Sequence, residues 1–263
     1  LKKLLFFGWV ILTLLGLLAS PLQALSFQKS TGEHLNLYYT EDDKPNIPDV
    51  MNMLRDYYGS ITQDLQMNTL PAINVYLYPD WESFHQDYPQ GDKNTLAWGI
   101  NSNSFAMVSP EGDTTNGQWN YIDRMRAGVH ELCHCLMQNI SDFRPSTCFW
   151  LYEAMAMYES DQLRDPKGFI YLKKGDYPHF TAMTSESEEN TKVVDENGYT
   201  IIEYIYGIYT RDGLLKLIKY NGNVQSGLGV SPEKLEKDWY GYVKEKYIQY
   251  APYQDDELPS VIK

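Results

Sequence analysis

The sequence predicts an α+β protein with a small mixed or antiparallel sheet packed against a mostly helical half, and three observations carry that expectation. Segments 35–39, 73–78 and 104–108 alternate or concentrate apolar side chains in the manner of short strands. Apolar residues of the second half recur instead at three- and four-residue intervals, which gives helices over roughly 119–140, 149–164, 200–220 and 231–249. One earlier segment, 48–67, has the same helical spacing through Val50, Met53, Leu54, Tyr57, Ile61 and Leu65. Between about 165 and 199 the chain is rich in Gly, Pro and acidic residues and reads as a connection. There is no internal repeat and no low-complexity tract. A cleft is expected where the sheet meets the helical half.

The first residues read as a targeting segment. Lys2 and Lys3 precede an apolar run over 4–19, then Pro21 and the small Ala24, the pattern of an export signal cut after about residue 24. The run is shorter than the ~20 residues that span a bilayer comfortably, although Leu22 and Leu25 could lengthen it into an uncleaved anchor. Either outcome puts the rest of the chain outside the cytoplasm, secreted or anchored by its N-terminal segment. That remainder divides into an α+β lobe over 25–118 and a helical lobe over 119–263, long enough together for one sizeable core.

Loss of Lys2 and Lys3 takes the formal charge from −13 to −15. Such a balance argues against a nucleic-acid partner, because phosphate binding is driven by Lys and Arg, and it disfavours adhesion to anionic lipid. The acidic run Glu186-Ser187-Glu188-Glu189, with Asp195 and Glu196 nearby, is expected to be a solvated loop in preference to a calcium site. Three cysteines, Cys133, Cys135 and Cys148, leave an odd count. Export would permit a Cys135–Cys148 bridge tying two helices together, with free thiols the favoured alternative, and Cys133 reads as buried packing.

The chemistry concentrates at His130-Glu131-Leu132-Cys133-His134. Two imidazoles four residues apart on a helix stand one turn apart, about 6 Å along the axis, so both can reach one ion from the same side. They would supply half of a tetrahedral Zn²⁺ shell, and Glu153, 18 residues beyond His134 in a second helical stretch, is the candidate third ligand. Ile122, Met125, Val129, Leu132, Cys133, Leu136 and Ile140 form the expected buried stripe of the motif helix, with both histidines beside it. The bland alternative is a pair of histidines hydrogen-bonded within a helix.

The His-Glu-x-x-His motif followed by Glu153 in Trp-Leu-Tyr-Glu-Ala-Met-Ala resembles the gluzincin metallopeptidases, and most closely the peptidase-MA-like family. Weaker likenesses extend over roughly 30–250: the strand and turn over 73–79 with Phe84, Ala97-Trp98-Gly99, the segment 105–110 ending in Ser-Pro, and a late helix over 201–220. The resemblance implies a zincin-like helical half and one Zn²⁺ held by His130, His134 and Glu153. It further implies Glu131 as the general base in hydrolysis of a peptide or protein substrate. It also implies an oxyanion donor downstream of Glu153. His179, Tyr199, Tyr204 and Tyr206 are the candidates, with Tyr199 preferred because it precedes the helix expected at 201. With 22 tyrosines in the chain, any single one is more readily packing than catalysis.

Two departures from the family pattern stand out. Ala154 replaces the usual Gly after the third ligand, and Met157 stands where some gluzincins place an aspartate that orients a ligand histidine. Asp142, Asp161 or a backbone carbonyl would have to serve instead. The chain also lacks the Gly-x-Met-Glu-Asn segment of the aminopeptidases, so an endopeptidase is the expectation. An extended substrate is expected to add to a sheet edge formed by 103–108. Two other functions stay open: a catalytically retired peptidase that binds a peptide or partner at the cell surface, and an adaptor with a purely structural zinc.

Overall fold

In the computed structural model, which describes residues 25–91, 94–113, 119–140 and 143–249, the alternating segments pair into one five-stranded sheet. Strands β1 (Gln28–Thr31), β2 (Leu35–Tyr39), β3 (Ile73–Asp80), β4 (Ala97–Asn101) and β5 (Ser104–Asp113) lie in the order β1-β2-β3-β5-β4. The three central strands are parallel, and β1 and β4 close the two edges antiparallel, so the sheet is mixed and the protein is α+β. Ile73, Val75 and Leu77 of β3, with Phe105 and Met107 of β5, enter the main core. Tyr78, Ala106 and Val108 point to the other face, as the two-residue period requires.

That second face is covered by α2 (Trp81–Asp87), whose Phe84 packs on it and whose start is capped by Asp80 accepting from Ser83 N at 2.7 Å. On the main face lie α1 (Ile47–Asp64) and α3 (Tyr121–Gln138). In α1, Val50, Leu54, Tyr58 and Ile61 are buried at three- and four-residue spacing. The left-handed Gln66, φ 47°, ends the chain's helical course there. A capping box opens α3, with Asn120 Oδ1 accepting from Asp123 N at 3.0 Å and the Asp123 carboxylate accepting from Asn120 N at 3.3 Å. Gly128 lets this helix lie close on β5, since a Cβ there would stand 2.6 Å from Met107 Sδ. Arg124, also buried, donates to the carbonyls of Pro110 (2.7 Å), Gly112 and Trp119 (3.1 Å), which fixes the entry of α3 to the end of β5.

The helical half continues through α4 (Phe149–Glu159), α5 (Ile170–Lys174), α6 (Glu188–Lys219), α7 (Val224–Leu228) and α8 (Pro232–Val243). One cluster of buried side chains runs from Leu35 through both halves to Val243. Three boundaries differ from the sequence expectation. Helix α4 stops at Glu159, not near 164, because Ser160 Oγ turns back onto the Ala156 carbonyl at 2.6 Å and Asp161 adopts φ 58°. Helix α8 stops at Val243 and passes into a π-helical turn over Lys244–Gln249. Helix α6 starts at Glu188, not near 200, with Ser187 Oγ accepting from Asn190 N at 3.1 Å, and it kinks at Thr210, φ 60°. Glu186, Ser187, Glu188 and Glu189 are exposed as expected, but Glu188, Glu189, Asp195 and Glu196 are helical, not in a loop.

The early start of α6 brings Gly198 onto α4, where a Cβ would meet Ala154 Cα at 2.9 Å and Ala154 Cβ at 3.3 Å. The methyl that Ala154 adds to this contact is thus accommodated by the glycine opposite it. Among the described residues no helix is long and apolar enough to cross a membrane, and the expected signal over 1–24 lies outside those residues. All three cysteines are free and buried, so the bridge considered between Cys135 and Cys148 is not formed. Burial pushes both of those thiols up to about 12, as suits packing side chains.

Glu159, at the end of α4, is buried without an ion pair of its own among the described residues, beside the Arg211–Asp64 pair (2.5 Å). Burial pushes its carboxyl up to about 7, Asp64 adds to the rise, and Arg211 opposes it. A carboxyl raised on folding costs nothing below its unfolded value near 4.5 and the full penalty above about 7. Glu159→Gln is therefore expected to match the parent protein at pH 4.5 and to exceed it by up to about 3 kcal/mol at pH 8. Urea denaturation with chelator present at both pH values reads this directly. A stability gap independent of pH would show that Glu159 is not the titrating group.

Candidate metal centre

Helix α3 carries His130 and His134 one turn apart, and α4 presents Glu153 from its second turn against the same side. The ring Nε2 atoms of His130 and His134 each lie 3.4 Å from Glu153 Oε2. The two imidazoles meet edge to face, with centroids 4.6 Å apart and planes at 90°. All three candidate ligand atoms fall within 4.8 Å of one another, a group able to hold a metal ion. The spacing is informative. Bonds of about 2.0–2.1 Å at the tetrahedral angle set ligand-to-ligand edges of about 3.3–3.4 Å, whereas a charged N–H···O hydrogen bond closes to about 2.7–2.9 Å. Both histidine–glutamate separations match the former.

The electrostatics favour a cation at the same point. Burial works against ionising Glu153, yet the adjacent His134 and His130 hold its carboxyl far below the usual range. Burial likewise opposes charge on His130, but the adjacent Glu153 carboxylate, with Glu131 and Asp195 behind it, lifts it to about 9. Glu131 itself is raised by burial, against the lowering effect of His134 and His130. Asp195 is raised to about 6, by burial first and by Glu153 among its neighbours. Three carboxylates thus surround two imidazoles in a partly desolvated site.

A cleft of about 620 Å³ opens at this group, between β4 on one side and α3, α4 and the first turns of α6 on the other. Trp98, Gly99, Glu131, Tyr152, Arg164 and Asp195 are among its walls. The strand that borders it is β4 and not, as expected, 103–108: β5 is interior, paired with β3 on one side and β4 on the other. Ala97-Trp98-Gly99-Ile100-Asn101 lacks a run of β-branched residues, so its strand character is set by the tight hairpin at Ser102-Asn103 and not by its own pattern. Gly99 lies on Glu131, where a Cβ would stand 3.1 Å from Oε2.

Of the residues singled out from the sequence, His130, Glu131, His134 and Glu153 come together in the cleft. Tyr199 does not join them. It sits in the body of α6, half-buried against Tyr158 with ring centroids 5.3 Å apart, and it is not among the cleft walls. Its preference rested on a helix entry near 201, and α6 begins eleven residues before Tyr199. The other candidate donors are occupied elsewhere: His179 Nδ1 pairs with Glu236 at 2.8 Å, Tyr204 packs against Tyr209 and Tyr242, and Tyr206 lies beside Tyr158. In the buried stripe of α3, Met125, Val129, Leu132, Cys133 and Leu136 are buried, whereas Ile122 at the first turn is 53% exposed.

Among the described residues no orienting acceptor is found for the ligand rings. Nδ1 of His130 and Nδ1 of His134 are buried and lack a hydrogen-bond partner among the described residues. Asp161 pairs with Arg126 at 2.8 Å, and Asp142 lies outside the described residues. Two cleft residues escaped sequence reasoning. Asp195 fell within the supposed connection, and Tyr152, adjacent to Glu153, carried no signal beyond its place in the helix. Comparison with known protein families and with curated proteins finds no match to this chain.

Proposed function

We propose that this chain is a zinc-dependent peptidase, acting outside the cytoplasm on an extended peptide or protein segment. The observation that carries this reading is the convergence of His130, His134 and Glu153 at tetrahedral-edge separations, with Glu131 next to them in an open cleft. Two imidazoles and one carboxylate, without a thiolate, are a donor set suited to Zn²⁺ with one position left open. A bound Zn²⁺ would lower the pKa of water to about 7 and polarise a carbonyl as a Lewis acid.

The remaining work falls to the chain itself. Glu131 accepts the proton of the attacking water and returns it to the departing amine nitrogen, so that one water is consumed for each C–N bond broken. The outer edge of β4, unpaired among the described residues, offers main-chain donors and acceptors to a substrate lying as an added strand along the cleft. An edge with Gly99 next to Glu131 lets that strand approach the base closely. The placement outside the cytoplasm rests on the sequence of residues 1–24 alone.

The test combines metal analysis with hydrolysis of a quenched peptide library. One zinc per chain is expected, with cleavage inside peptides that stops on chelation and returns on adding zinc. A protein that binds no metal, or cleavage indifferent to chelator, would refute the reading. Stoichiometric zinc with no cleavage of any peptide would favour the retired, partner-binding alternative.

A further inference from the structure

A ligand imidazole is ordinarily held in place by a hydrogen bond from its second nitrogen, which sets the tautomer and stops the ring from turning. Neither candidate ligand has that bond here, since both Nδ1 atoms are buried and unpartnered among the described residues. His134 is restrained in another way. The Tyr152 ring lies flat against it, with centroids 4.0 Å apart and planes 21° apart, while His130 meets it edge-on. The Tyr152 hydroxyl in turn accepts from Gln138 Nε2 at 2.5 Å, one helical turn beyond His134 on α3. Tyr152 is also the residue before Glu153 on α4. A single side chain therefore links the backbone of the third ligand, the ring of the second, and the helix that carries the first two.

We propose that Tyr152 is the positioning residue of the metal centre: its stacked ring, pinned by Gln138, orients His134 in place of the missing hydrogen bond to Nδ1. The proposal rests on reading His130, His134 and Glu153 as metal ligands. The chemistry is favourable, because a metal-bound imidazole is electron-poor and the face of a phenol ring is electron-rich. The stack is thus stronger in the loaded site than in the empty one, which couples ring position to metal affinity. Flat stacking also constrains the rotation about χ2 that an unbonded nitrogen leaves free.

The expected order of variants follows from the division of labour between ring and hydroxyl. Tyr152→Phe keeps the stack and loses only the Gln138 bond, and should bind zinc within a few-fold of the parent. Tyr152→Leu removes the stack, and should weaken zinc binding by roughly 10- to 100-fold, the range typical of an orienting partner, with faster release to chelator. Cobalt substitution supplies a readout independent of activity: the visible spectrum should stay as in the parent for Tyr152→Phe and change for Tyr152→Leu. Circular dichroism checks the fold, and Tyr152→Met takes the place of the leucine variant if that one does not fold. Parent-like affinity and cobalt spectrum in a folded Tyr152→Leu or Tyr152→Met protein would overturn the proposal while leaving the metal reading intact. A parent protein that binds neither zinc nor cobalt would overturn both.

Discussion

Glu131→Gln is expected to retain a full equivalent of metal and an unchanged fold while losing nearly all turnover, a fall in kcat of roughly 10²–10⁴-fold for a lost general acid–base. The argument is geometric. Glu131 follows His130 on α3, so its side chain leaves the helix about 100° round from the ligand pair. It ends against the edge strand, with Oε2 beside Gly99, and not among the ligand atoms. The glutamine amide occupies the same volume and can still touch β4, but it has no carboxylate to take a proton from water or to return one to the leaving nitrogen. Because the proposed base would serve both transfers, the loss should lie toward the upper end of that range. Metal content and single-turnover cleavage of the best library peptide, measured side by side on the two proteins, decide the matter. Comparable turnover would remove Glu131 from the reaction, and loss of metal would make it a ligand.

What could be read from the sequence follows from where side chains are buried. β2, β3 and β5 declare themselves because each places apolar residues on a covered face, and α1 and α3 because their stripes face the same core. β1 is Gln-Lys-Ser-Thr on an outer edge with little burial, and β4 pairs on one side only among the described residues, so neither bears an apolar pattern. The opening turns of α6 hide for a related reason. From Glu188 to Tyr199 they bury only Val194, Asn197 and Gly198, because they skirt the cleft and meet α4 through a glycine. This polar stretch reads as a connection, and Asp195 is lost from view with it. The histidine pair and Glu153 were legible because their chemistry fixes their spacing along helices. The Tyr152 stack was not, because a ring-to-ring contact across two helices leaves no periodic trace.

Glu153→Ala should abolish the metal centre and do so with a second signature in the metal-free protein. Removing the oxygen that both Nε2 atoms face leaves two imidazoles and no third protein donor. Zinc affinity should drop well beyond the roughly 10- to 100-fold expected for an orienting partner, and peptide cleavage with it. In the metal-free parent, Glu153 is also the counter-ion that lifts His130 to about 9 against the opposing pull of burial. A histidine raised on folding contributes stability that is fully present below its ordinary value near 6.5 and is lost as pH rises through about 9. The metal-free parent should therefore lose stability between pH 6.5 and 9. Without Glu153, burial acts on His130 with only the weaker pulls of Glu131 and Asp195 against it, and that slope should flatten or vanish. Denaturation with chelator across this window, alongside zinc titration at pH 7.5, separates the two effects. Undiminished zinc binding by Glu153→Ala would place the metal elsewhere, and an unchanged pH slope would mean that Glu153 is not the charge that raises His130 in the metal-free protein.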